Sequence, residues 1–390
     1  MLLTLWEILW TFTQIALASF GGPAASIALM QRAIVERRKW LTQTEFLDFV
    51  AVSHIIPGPI AVQLSLHLGY RRGGPLGAFA AVVGFVVPAA AITWAIAVLY
   101  QRNQGLPALE ACLGGIRPAV LAIVLTSLWQ IARKLPWTRW RIALLTTVVG
   151  LNLMGFDPII LMVFAIAIGS LYHSLRVIRS RVPKERQQDR QQDGSPKKPT
   201  DNTFASFLIP SLAAFSQAGL GMKSLYLYGM FFKIGLLLYG GGNILAAYIQ
   251  SDFVNHGLLS HAQFLDALAV GQSTPGPVLT VATFVGYLLA GHLGAVSATL
   301  GIITPCVFLA GFTHQFMARA RNSESVSTIL NIVNLVVVGL ILSVCISLAI
   351  WVFQDVVSIA VALCVGGLIL LFDVPPIVAI IGAAVVGWLL

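Results

Sequence analysis

From residue 46 the chain reads FLDFVAVSHIIPGPIAVQLSLHLGY, and from residue 264 it reads FLDALAVGQSTPGPVLTVATFVGY. Both stretches open on Phe-Leu-Asp and run apolar until a Pro-Gly-Pro cuts them, at Pro57-Gly58-Pro59 and at Pro275-Gly276-Pro277. Proline has no N–H, so Pro57 and Pro59 strip the Ser53 and Ile55 carbonyls of their helical partners. The second pair does the same to Gly271 and Ser273. In lipid, such a broken backbone survives only where protein or a water-filled cavity satisfies it. Two identical interruptions in the same sequence context therefore predict a duplicated, membrane-embedded chain with broken helices at its centre.

The duplication extends outward from these stretches. Phe20-Gly21-Gly22-Pro23 matches Tyr239-Gly240-Gly241-Gly242, Gly69-Tyr70 matches Gly286-Tyr287, and Gly77 matches Gly294. Farther on, Pro88 matches Pro305 and Phe156-Asp157 matches Phe372-Asp373. The offset drifts only from 219 to 216 residues, so whole halves are repeated with few gaps. Five apolar blocks are read in each half: about 5–27, 46–70, 76–99, 113–132 and 142–172, then about 225–250, 264–288, 293–314, 327–353 and 356–390. Each approaches or exceeds the roughly 20 apolar residues that a spanning helix needs. The last block of each half is interrupted at Asp157 or Asp373, which predicts a hairpin of two short helices. The expected division is an N-terminal repeat at 1–175, a basic linker at 176–222 and a C-terminal repeat at 223–390.

Composition agrees. The 390 residues are 57% hydrophobic and 10% charged, and the mean hydropathy is +0.86. A soluble domain is about 25% charged, so there is too little polar material here to coat soluble domains of this total size. The excess of 24 Lys and Arg over 15 Asp and Glu lies in short loops and in the linker. That distribution reads as cytoplasmic loop bias, with no nucleic-acid partner. Cys112, Cys306, Cys345 and Cys364 form no CxxC and read as packing residues. The first residues lack a positive n-region, so no cleaved signal is expected.

Loop charges differ between the halves. Arg32, Arg37, Arg38 and Lys39 follow the first block, whereas residues 252–261 hold no Lys or Arg. Arg133, Lys134, Arg139 and Arg141 follow the fourth block, against only Gln354-Asp355 in the second half. After the third block the bias reverses, with Arg102 against Arg319 and Arg321. Under the positive-inside rule the halves face opposite ways. An odd number of crossings per half gives that result and leaves the linker cytoplasmic. The fold class expected is an all-α polytopic membrane protein of two inverted repeats with broken or re-entrant helices, a build common in secondary transporters.

Several residues in this frame are candidates for chemistry. Beyond each Pro-Gly-Pro a new half-helix starts, whose free amides near residues 60–62 and 278–280 form an anion site through N–H groups and dipole; the competing reading is a plain kink. Gly21 and Gly22, and Gly240, Gly241 and Gly242 with Asn243, form either an amide nest around an oxyanion or a close-packing point for helices. No GxxxxGK[ST] follows them. Lys233 and Arg117 lie inside apolar blocks, where they neutralise a passing anion or snorkel to the interface. Asp48 and Asp266 occupy equivalent places ahead of the breaks and either carry protons, hold a basic partner or anchor the helix start. His54, opposite Gln272, is polar lining or a packing histidine. No HExxH, GxSxG or metal-spaced cluster is found, so neither an enzyme nor a cofactor is expected.

In these residues the sequence resembles the chromate ion transporter family in its long, two-domain form. The resemblance is carried by Ser19-Phe20-Gly21-Gly22-Pro23, Glu36, Trp40-Leu41, Pro57-Gly58-Pro59 and Gly69. In the second half it is carried by Gly240-Gly241-Gly242, Phe264-Leu265-Asp266-Ala267, Pro275-Gly276-Pro277, residues 283–287, Ala290-Gly291 and Gly294-Ala295. Tyr239, where Phe is usual, and Leu258, opposite Trp40, depart from the pattern. The resemblance implies export of chromate from the bacterial cytoplasm across the inner membrane, giving resistance, with sulfate as the competing oxyanion. A sulfate or other oxyanion carrier without chromate preference is the alternative. The partners expected are a chromate- or sulfate-like oxyanion and the lipid bilayer, and a homodimer is compatible with this reading.

Overall fold

The computed structural model describes residues 2–20, 22–135, 137–180, 221–238, 242–313 and 324–389. Most of the linker lies outside them. The described residues form α-helices and short 3-10 and π turns, with no strand. The first half contains α1 (Leu2–Ala18), α2 (Pro23–Gln31) running into a π turn at Arg32–Arg37, α3 (Gln43–Ile55), α4 (Ile60–Arg102), α5 (Pro107–Ala132), α6 (Arg139–Leu153) and α7 (Pro158–Ser180). The second contains α8 (Met222–Leu237), α9 (Leu245–Ile249) between a 3-10 turn and a π turn at Gln250–Val254, α10 (His261–Ser273), α11 (Thr280–Thr313), α12 (Glu324–Val352), α13 (Val356–Phe372) and α14 (Pro376–Leu389).

The repeat recurs in local chemistry. Thr42 caps α3 by accepting from the Glu45 amide at 3.3 Å, while the Glu45 carboxylate accepts from the Thr42 amide at 2.9 Å. Ser260 and Gln263 do the same for α10, at 3.1 and 3.0 Å. Each is a capping box, S/T-x-x-E/Q. In both halves the helix after the break doubles back. Backbone at Gly73-Gly74 and at Ala290-Gly291 leaves the helical region. Gly69 then lies against Gly77, and Gly286 against Gly294, so closely that neither pair has room for a β-carbon. Residues eight apart in a straight helix are about 12 Å apart along its axis, so α4 and α11 are hairpins, each with a short first arm and a long second arm.

The first block of each half is also split. α1 ends at Ala18 and α2 restarts at Pro23 with Gly22 as its N-cap; in the second half α8 ends at Leu237 before the turn at Gly242–Ile244. The blocks read as continuous, at 5–27 and 225–250, are thus two segments each. Four described helices are long and apolar enough to cross a bilayer: α4, α5, α11 and the 329–352 portion of α12. The described residues of each half therefore hold two such helices, beside the shorter apolar helices Leu2–Ala18, Val356–Phe372, Pro376–Leu389 and the first part of α7. The hairpins expected at the ends are present as α6–α7 and α13–α14, with Asp157 accepting from the Ile159 amide at 2.7 Å and Asp373 in the left-handed C-cap of α13.

Contacts fix how the halves meet. Glu7 at the start of α1 pairs with Arg38 at 3.0 Å and Arg72 at 3.4 Å, and Glu45 pairs with Arg71 at 3.5 Å. The outer ends of α1, α2, α3 and the first arm of α4 thus gather at one rim. The corresponding rim of the second half lies beside the far end of α4. There the Trp94 indole donates to His292 at 3.0 Å, and Tyr100 donates to Asp266 at 2.9 Å. The long arm of α4, residues 75–102, spans the distance between the two rims.

Candidate functional site

Both Pro-Gly-Pro breaks are seated on the opposite half. The Gly58 amide donates to the Leu238 carbonyl at 2.6 Å, and the Gly276 amide donates to the Ser19 carbonyl at 2.8 Å. Ser19 and Leu238 are equivalent positions, each just ahead of its half's glycine cluster. The break of each half is therefore completed by the end of the other half's first helix. Gly58 has φ 132° and Gly276 φ 110°, a region that L side chains rarely adopt. The space where a β-carbon would point is filled too. At Gly58 it lies 2.5 Å from Gln63 Nε2 and 3.5 Å from the Cys306 β-carbon, and at Gly276 it overlaps the β-carbon of Ala89. Ala89 and Cys306 are again equivalent, each following a proline in the long arm of the opposite half. Glycine at these two positions serves both the backbone angle and the close approach.

Beyond the breaks, the first turns are tight. Val62 donates to the Pro59 carbonyl at 2.9 Å and Thr280 to that of Pro277 at 3.1 Å, which removes them from the set of free amides expected at 60–62 and 278–280. Among the described residues, Ile60 and Ala61, and Val278 and Leu279, keep amides without an acceptor. Gln63, fully buried, reaches back over the first break, its Nε2 donating to Pro57 at 2.7 Å and Ile56 at 3.4 Å. At the second break the surroundings are hydroxylic: buried Thr93 of the first half donates to Thr274 at 3.4 Å, and Thr274 lies 3.4 Å from Thr280. Ser19 and Ser26, both buried, share a short hydroxyl contact beside the Gly276 anchor. Polar side chains thus lie beside both breaks, Gln63 at Pro57-Gly58-Pro59 and Thr274 and Thr280 on either side of Pro275-Gly276-Pro277. Gln63, Ser26, Thr93 and Thr274 were not singled out in the sequence, nor were the side chains of Ser19 and Thr280 as polar lining. The available signal was small polar residues interrupting apolar runs beside the breaks.

Gly22 opens onto free space, whereas Gly242 packs against Val278 at the start of the half-helix, 2.9 Å from where its β-carbon would sit. Gly21, Gly240, Gly241 and the Asn243 side chain lie outside the described residues. His54 is exposed on the last turn of α3, and Asp48 is half-buried on the same helix.

The two cations are already held. Arg117 makes a bidentate pair with Asp266, Nε to Oδ1 and Nη2 to Oδ2, both at 3.0 Å, and touches Glu110 at 3.5 Å. The Asp266 side chain is 1% exposed and that of Arg117 15%. This pair joins α5 of the first half to α10 of the second, so of the roles open to Asp266 the structure displays the hold on a basic partner. Lys233 donates to both carboxylate oxygens of Asp252 at 3.2 Å and lies 3.8 Å from Asp157 of the other half. Both cations, for which neutralising a passing anion or snorkelling to the interface was expected, bind carboxylates in this structure.

Among curated proteins the chain resembles the chromate transport protein of Pseudomonas aeruginosa, at 27% identity over 97% of this chain and 90% of that protein. It also resembles the chromate transport protein of Cupriavidus metallidurans (28%, over 98% and 92%) and the probable chromate transport protein of Synechococcus elongatus (29%, over 85% and 81%). No solved structure matches. The chromate transporter family model matches residues 6–170 and 225–388, separately covering the two halves that the Pro-Gly-Pro repeats delimit. With its apolar spanning helices, broken centre and full-length match, the chain is an integral membrane transporter, not an enzyme, and belongs to the chromate transporter family.

Proposed function

We propose that this protein is a secondary transporter exporting chromate from the bacterial cytoplasm across the inner membrane, with its two halves acting as inverted repeats around the paired breaks. The observation that carries the reading is the reciprocal anchoring of Gly58 on Leu238 and Gly276 on Ser19. It seats the break ahead of each half-helix on the end of the other half's first helix. Free amides at Ile60, Ala61, Val278 and Leu279 supply donors to a tetrahedral oxyanion. The Arg117–Asp266 pair ties the halves at one rim and separates when that rim opens. Chromate as substrate is supported by the family and by the relatives named for it.

An anion leaving a negative interior gains about 2.3 kcal/mol at 100 mV for each negative charge it carries, so the membrane potential suffices without a nucleotide. The linker is cytoplasmic in this reading. The test is labelled-chromate flux in proteoliposomes at a set potential, with sulfate as competitor. Potential-dependent flux that is lost in a Gly58→Val/Gly276→Val double variant supports the reading. Flux equal to that of empty liposomes under either polarity sinks the chromate assignment.

A further inference from the structure

Gln63 carries more than the packing of the break requires. Its side chain is fully buried, and its Nε2 is committed to the Pro57 and Ile56 carbonyls. Reversing the amide would press its oxygen against those same carbonyls, so the neighbours fix its orientation. Its Oε1 is then left buried and, among the described residues, without a donor. A buried acceptor left unmet is destabilising, and the equivalent position in the second half is Val281. Gln63 thus holds an orphan acceptor at the N-terminal turn of α4, the same turn that carries the unclaimed amides of Ile60 and Ala61.

Donors alone suit a fully deprotonated oxyanion; donors beside one orphan acceptor suit an oxyanion that carries a hydroxyl. We propose that Gln63 reads the protonation state of the substrate, its Oε1 accepting from the hydroxyl of a singly protonated tetrahedral oxyanion whose other oxygens take the Ile60 and Ala61 amides. This rests on the oxyanion reading above and deepens it. A dianion has no hydrogen to offer and sets a lone pair against Oε1. Sulfate and selenate carry no proton at neutral pH, whereas chromate takes one up near neutrality. Gln63 therefore separates chromate from anions of the same shape and charge.

The experiment is equilibrium binding of chromate and of selenate to the purified full-length protein, each from mildly acidic to mildly alkaline pH. The ratio of chromate to selenate affinity is expected to rise as pH falls, by up to about tenfold per pH unit, the limit for one proton. It levels off once chromate is singly protonated. In Gln63→Leu the ratio becomes flat while selenate binding persists, a result that a merely structural role for Gln63 does not produce. The titratable groups nearest the break are His54, three residues ahead of Pro57, His67, one turn beyond Gln63, and Cys306 of α11 beside Gly58, so His54→Gln and His67→Gln are measured alongside. A flat ratio in the wild type, as when a trapped water meets Oε1, overturns the proposal even if Gln63→Leu fails to fold. A slope that survives in Gln63→Leu, or disappears in either histidine variant, overturns it as well. Absence of binding by both anions removes the oxyanion reading itself, an outcome distinct from a flat ratio.

Discussion

Replacing Arg117 by Met removes the guanidinium from a carboxylate that is 1% exposed and leaves Asp266 with the Tyr100 hydroxyl at 2.9 Å as its remaining described donor. Breaking a buried pair from one side costs about 3–5 kcal/mol, because the surviving charge is uncompensated. With about 2.1 cal/mol/K of unfolding entropy per residue, a chain of 390 residues has roughly 0.8 kcal/mol/K, so Tm falls by about 4–6 °C. Asp266→Leu is milder, since Arg117 keeps Glu110 at 3.5 Å and is itself 15% exposed. The double variant Arg117→Met/Asp266→Leu, which buries no charge, is expected to recover most of the loss. Thermal unfolding of the four proteins in one detergent completes a double-mutant cycle. Single variants within about 1 °C of the parent, or a double variant that loses the sum of the two, would refute the reasoning.

Gly276→Ala meets the Ala89 β-carbon and a backbone at φ 110°, so it is expected to cost about 1–3 kcal/mol and most transport activity, with partial rescue by Ala89→Gly. Gly58→Ala meets the movable end of Gln63 and is expected to be the milder of the two in the same flux and stability assays. Thr42→Ala and Ser260→Ala each remove one capping box, at about 1 kcal/mol by thermal unfolding, and their effects add because the caps belong to different halves. Hydrogen bonds from the Thr42 amide and hydroxyl hold the exposed Glu45 carboxyl below its ordinary value. Its contribution to stability is therefore present above that ordinary value and lost as pH falls through the lowered one. Glu45→Gln keeps the box but removes the pH dependence, as a comparison of acid unfolding profiles shows.

The duplication, the breaks and the end hairpins could be read directly because each depends on residues close in sequence. Pro57 and Pro59 end α3 wherever it sits, and Asp157 caps its neighbour two residues on. The hairpin turn at Gly73-Gly74 separates two blocks already distinguished, but the close approach of Gly69 to Gly77 needs the folded chain. Charge partners were beyond reach for the same reason. Arg117 and Asp266 are 149 residues apart, and an arginine in an apolar run carries no mark of which carboxylate will meet it. The sequence did flag both residues as costly to bury, and their pairing answers that cost. Gln63 was hidden because a glutamine one turn into a helix looks unremarkable until the break places the Pro57 carbonyl within its reach.

The joints between the halves run from backbone to backbone, Gly58 amide to Leu238 carbonyl and Gly276 amide to Ser19 carbonyl. A serine and a leucine occupy the accepting positions, and neither side chain takes part in the joint. Selection on the joint therefore falls on the donating glycines and leaves the acceptors' identities free. After the gene doubled, each half could acquire its own polar wall and charges, Gln63 against Val281 and Lys233 against Gln14, without losing its grip on the other. Divergence between the halves is the freedom that a main-chain bond permits, and function could become asymmetric on a frame that remained paired.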